Sequence, residues 1–143
     1  MSVIVTDTGF AADDWTGPIA ELENVDNATA VDLTSDADTS VLTDHLDRLQ
    51  LIRIDFPSFA DGRGFTLARE LRLMGYQGRL RAKGHVISDQ YAMARRTGFD
   101  EVEISADLAT RQPEGEWKFR ADWRANDYQN RLRAGWGPVN PYR

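Results

Sequence analysis

The sequence predicts an α/β fold of repeated strand-helix units forming a small parallel sheet, open or half-barrel-like, with a C-terminal helical or extended tail. Three observations carry this. Between residues 29 and 104, runs of period-two alternation are followed three times by runs of helical spacing. Each helical run ends in turn-forming residues. Strands that alternate with helices of ten to fifteen residues favour parallel pairing through right-handed crossovers.

Taken in order, VIVTD at residues 3–7 reads as a short strand, and TAVDL at 29–33 as a better one, ended by the polar stretch TSDADTS. A helix is expected next, over residues 38–49. Val41, Leu42, His45, Leu46 and Leu49 fall on one face, with Asp38, Thr39 and Ser40 available as caps. On that face His45 is a packed histidine and not a site residue. LIRIDF at 51–56 alternates Ile52, Ile54 and Phe56 with Arg53 and Asp55, and Pro57 stops the strand. A helix over 65–75 buries Leu67, Leu71 and Met74 and ends at Gly75. RLRA at 79–82 is the next strand, SDQYAMARRTG at 88–98 a third helix stopped by Gly98, and EVEI at 101–104 the last strand. Residues 1–110 therefore form a single α/β domain, and residues 111–143 form an aromatic- and arginine-rich tail.

The composition narrows the chemistry. The 143 residues include no cysteine and only two histidines, His45 and His85, which removes thiolate metal sites, disulfides and a thiol nucleophile. No cofactor is evident, and no metal site is expected. The net charge of -6 is unevenly spread: residues 1–50 hold eleven acidic side chains against the single Arg48, while 51–96 hold nine cations against four acids. Arginine supplies fifteen of the seventeen cations, and its planar fork suits bidentate binding of oxyanions. A chain this acidic overall is not expected to bind nucleic acid. No run approaches the ~18 apolar residues of a membrane span, and the first residues do not resemble a secretory leader. No membrane contact and a cytoplasmic location are the expectations.

In a parallel α/β sheet the functional edge lies at the carboxyl ends of the strands. The loops predicted there are TSDADTS, PSFADGRG and KGHVISD. In the second, Gly62 and Gly64 flank Arg63 at the start of a helix, where free backbone amides and the positive end of the helix dipole favour an anion. Arg63 adds a charged fork, and Asp61 either orients Arg63 or caps the amides itself. The pattern is neither a dinucleotide fingerprint nor a P-loop. In the third loop, Gly84, His85, Asp89 and Gln90 stand together. His85 and Asp89 are four apart, so with Asp61 they are candidates to hold a metal or pass a proton, although a helix cap at Ser88 and Asp89 is the preferred reading and needs no chemistry.

The motifs FPSFADGRGFTLARELR, GRLRAKGHVISDQ and RRTGFD resemble a bacterial family of unknown function whose label names an oxidoreductase of sulfite reduction. The resemblance covers roughly residues 29–104, and members are associated with genes of assimilatory sulfite reductase. The matching positions are Asp61, Gly62, Arg63, Arg69, Arg72, Arg81, Gly84, Asp89 and Gln90. Two positions depart from it: His85 stands where many members have an acidic residue, and Thr97 where many have cysteine.

In the tail, Trp117, Ala121, Tyr128 and Leu132 form a ragged amphipathic stripe, and Pro138 and Pro141 imply an extended end. Three functions follow. The resemblance implies an accessory protein of assimilatory sulfite reduction that contacts sulfite reductase or its electron donor through the arginine-rich rim and the tail. The rim alone suggests a small-oxyanion-binding protein or enzyme, with Gly62, Arg63, Gly64, Arg69, Arg72, Arg81, Gly84 and Gln90 binding and Asp61, His85 or Asp89 as acid or base. The tail alone suggests a structural homodimer.

Overall fold

The computed structural model describes residues 2–123. Seven strands form one sheet: β1 (Ser2–Thr6), β2 (Gly9–Ala11), β3 (Ala20–Glu21), β4 (Ala30–Leu33), β5 (Leu51–Phe56), β6 (Arg79–Gly84) and β7 (Glu101–Ser105). Their order is β2-β1-β7-β6-β5-β4-β3. Strands β3 to β7 run parallel, while β1 lies antiparallel between β7 and β2. Of the two arrangements that the sequence allows, the sheet takes the open one, with the very short β2 and β3 at its edges. Neither edge strand is legible in the sequence, because two or three residues are too few to show alternation.

Helix α1 (Arg63–Leu73) connects β5 to β6, and α2 (Tyr91–Thr97) connects β6 to β7 after one 3₁₀ turn at Ser88–Gln90. The helix expected over 38–49 does not form. A 3₁₀ turn at Thr39–Leu42 and a series of turns replace it, although Leu42 and Leu49 still reach the core. Local side-chain hydrogen bonds compete with the helix there: Asp38 accepts from the Ser40 amide at 3.0 Å and hydroxyl at 2.7 Å, and Thr43 donates to the Ser40 carbonyl at 2.8 Å.

Strands β3 to β7 follow one another in space as in sequence, so right-handed crossovers place every connection on the same face. That face holds the core. Ile52, Ile54, Phe56, Leu80, Val102 and Ile104 point into it from the strands, and Phe65, Leu67, Ala68 and Leu71 meet them from α1. Gly64 permits the approach: a Cβ there would stand 2.5 Å from the Phe56 ring. The alternate residues of the same strands face the other way, and most are charged.

Two further helices, α3 (Ala106–Arg111) and α4 (Glu114–Phe119), follow β7. The Ser105 hydroxyl caps α3 by accepting from the Leu108 amide. In α4 the Trp117 side chain is buried in the core cluster, edge-on to Tyr91 at 6.1 Å, and its indole donates to the Gln112 carbonyl. Tyr128, Leu132, Trp136, Pro138 and Pro141 lie outside the described residues. Among the described residues, no helix is long and apolar enough to cross a membrane.

Candidate functional site

The turn after β5 is closed on itself. Asp61 accepts from the Arg63 backbone amide at 3.1 Å and from the Arg63 guanidinium at 3.0 and 2.7 Å, so it caps α1 and holds the arginine fork at once. Hydrogen bonds from the Arg63 side chain and then its amide hold the Asp61 carboxyl well below the usual carboxylate range, with the Ser35 hydroxyl as a further donor. Gly62, the residue before the helix, and Arg63 itself are exposed.

The loop after β6 packs against this turn. Gln90 donates to the Phe59 carbonyl at 3.0 Å and accepts from the Ile87 amide at 3.0 Å, tying the two loops together. His85 is exposed, its amide donates to the Phe56 carbonyl at 2.9 Å, and its ring meets Phe59 edge-on at 5.0 Å. Because the helical segment begins at Ser88, His85 and Asp89 do not share a helix face. Asp89 instead pairs with Arg120, beyond α4. Gly84 has φ +114°, and a Cβ there would stand 2.7 Å from the Phe56 carbonyl oxygen. Gly84→Ala is therefore expected to destabilise the protein by more than ~1 kcal/mol, read as a lower denaturation midpoint.

Three of the candidate arginines lie away from that rim. Arg69 is exposed on α1. Arg72 sits at the opposite end of the sheet, where it donates to the carbonyls of Tyr76, Gly78 and Gly98 and pairs with Asp100. Arg81 is fully buried, on the sheet face turned away from the helices.

On that second face the register places Asp32, Arg53, Arg81 and Glu101 in one row across four strands, and Asp55, Lys83 and Glu103 in the next. Arg53 takes Asp32 bidentately at 2.6 and 2.8 Å and reaches Glu103 at 3.1 Å. Arg81 donates to Glu101 at 2.6 Å, to Glu103 at 2.9 Å, and to both oxygens of Asp13 at 3.2 Å. Arg79 pairs with Glu101 and Asp14. Asp13 and Asp14 belong to the segment between β2 and β3, which covers this part of the face. Burial pushes the Glu103 carboxyl up, but hydrogen bonds from Arg81 and Ser2 and the charge of Arg53 outweigh it, leaving Glu103 below its ordinary value. Arg53 is raised above its already high value, chiefly by its hydrogen bonds to Asp32.

Beyond the network, at the carboxyl ends of β4, β5 and β6, lies a cavity of about 620 Å³. Its charged lining is Glu21, Glu23, Asp32, Asp55, Arg53 and Lys83. Among the described residues, the side chains of Asp55 and Lys83 make no hydrogen bond or ion pair, although the two residues are paired in the β5–β6 register. The rim named from the sequence lies at this same end of the sheet, whereas Glu21, Glu23, Arg53, Asp55 and Lys83 of the cavity lining are residues that sequence reasoning does not single out. The missed signal is the alternation of charge with apolar residues in β5, β6 and β7 together, which a parallel sheet covered on both faces would not show.

A family model described as "Bacterial protein of unknown function (DUF934)" matches residues 30–135. No curated protein and no solved structure matches the chain.

Proposed function

This chain belongs to the family described as bacterial protein of unknown function, DUF934, and from that premise we propose that it is an accessory protein of assimilatory sulfite reduction. It acts by contact with sulfite reductase or with the electron donor of that enzyme. The pathway rests on the motif resemblance through FADGRG and GHVISDQ, and the mode of action on one surface. The outer faces of the adjacent helices α1 and α2 expose Arg69 and Leu73, four apart, beside Met93 and Arg96, three apart. Leu73 is 79% exposed and Met93 48%. Apolar side chains set between cations suit a partner with an acidic rim around an apolar centre.

The alternative of an oxyanion site draws less support. The forks of Arg53, Arg63, Arg79 and Arg81 are closed on the protein's own carboxylates, and Arg72 is closed on carbonyls and Asp100. An anion would have to displace Asp61 from Arg63 before it could use that arginine.

Deleting the gene is expected to slow growth when sulfate or sulfite is the sole sulfur source and to leave growth on cysteine unchanged. Equal growth on all three would remove the pathway assignment.

A further inference from the structure

We infer that the cavity at the carboxyl ends of β4, β5 and β6 binds a small zwitterion, an α-amino acid with an aliphatic side chain. The inference is independent of the partner contact proposed above, since it concerns another face and is tested on the isolated chain.

The charge pattern selects the ligand class. Arg53 is already held by Asp32 and Glu103, so it offers little to a ligand. Lys83 is the cation of the lining that has no partner among the described residues, and it is partly buried. Asp55 stands across from it on the neighbouring strand, also without a partner, and Glu21 and Glu23 add two exposed carboxylates at the mouth.

A bare dianion such as sulfate or phosphate would meet four carboxylates against two cations, an unfavourable field despite Lys83. A bare amine would satisfy Asp55 but press against the Lys83 ammonium. A molecule with both charges close together satisfies each group with its opposite. Neighbouring strands lie ~4.8 Å apart, a spacing suited to an ammonium and a carboxylate on one carbon. The remaining wall is apolar: Leu22, Ala37 and Val41 line the same cavity and would cover an aliphatic side chain. At about 620 Å³ the cavity falls in the usual range for small-ligand sites, and it opens at the carboxyl ends of parallel strands.

The test is calorimetric titration of the full chain with L-leucine, with 3-methylbutylamine and 4-methylpentanoate as analogues that each lack one charge, and with inorganic phosphate. L-leucine is expected to bind saturably, and each analogue at least about tenfold more weakly. Lys83→Met and Asp55→Asn should each weaken L-leucine by a similar factor, while Arg63→Ala leaves it unchanged. Asp55 is exposed and Asn keeps its shape, so that variant reports on binding even if Lys83→Met folds poorly. No saturable binding of L-leucine, equal binding of the analogues, or full binding by Asp55→Asn would overturn the assignment.

Discussion

Replacing Arg81 with methionine is expected to lower the unfolding free energy by ~3–5 kcal/mol, among the largest effects of any single substitution in this protein. Methionine fills much of the same volume, so the loss comes from charge. Glu101 and Glu103, both buried, lose the guanidinium that sits between them, and Asp13 loses its anchor on the sheet. Denaturant unfolding should show a lower midpoint with little change in slope. The effect should also depend on pH. In the wild type, Glu103 and Asp13 are held below their ordinary values of 4.5 and 3.8. Their contribution to stability is therefore complete above those values and is lost as the pH falls through the lower folded ones. In the variant that contribution is already diminished, so its acid limb is shallower and the two proteins converge on acidification. A constant difference between pH 7 and pH 3 would show that Arg81 acts through packing instead.

Trp117→Ala should cost a comparable ~3–5 kcal/mol. The side chain is 1% exposed, packs edge-on to Tyr91, and closes the helix-covered core from α4. A second tie depends on it: Glu114, in the first turn of α4, accepts from the Phe10 amide of β2 at 2.8 Å, joining the helix to the edge of the sheet. Losing Trp117 should therefore loosen β2 as well, seen as faster amide exchange at Phe10. A drop below ~1 kcal/mol would mean that α4 contributes little to the body. This matters for mapping the tail. A truncation at residue 111 removes a core tryptophan and tests folding, whereas one at residue 123 leaves the described body whole.

Much of the body is legible in the sequence for physical reasons that can be named. Ile52, Ile54 and Phe56 alternate because one face of β5 is buried under α1. Gly75 and Gly98 end their helices with positive φ, a backbone state that glycine adopts at low cost. The segment at 38–49 misleads because Val41, Leu42, His45 and Leu49 have helical spacing, whereas Asp38, Ser40 and Thr43 bond locally and stop the helix from propagating. At the rim, Asp61 and Arg63 are identified correctly as a pair, yet nothing in the spacing says that the pair closes on itself. The charged second face is harder to read. Its carboxylates come from residues 13, 14, 32, 101 and 103, and only the register of the folded sheet brings them to Arg53, Arg79 and Arg81.

The most direct test of the accessory role is a gentle tagged purification from cells grown on sulfate as sole sulfur source, with co-eluting proteins quantified. Sulfite reductase or its electron donor should be retained at near-stoichiometric amounts by the wild type and lost from a folded Arg69→Glu, Leu73→Asp variant. Elution of the wild-type chain alone, or equal retention by that variant, would contradict the account.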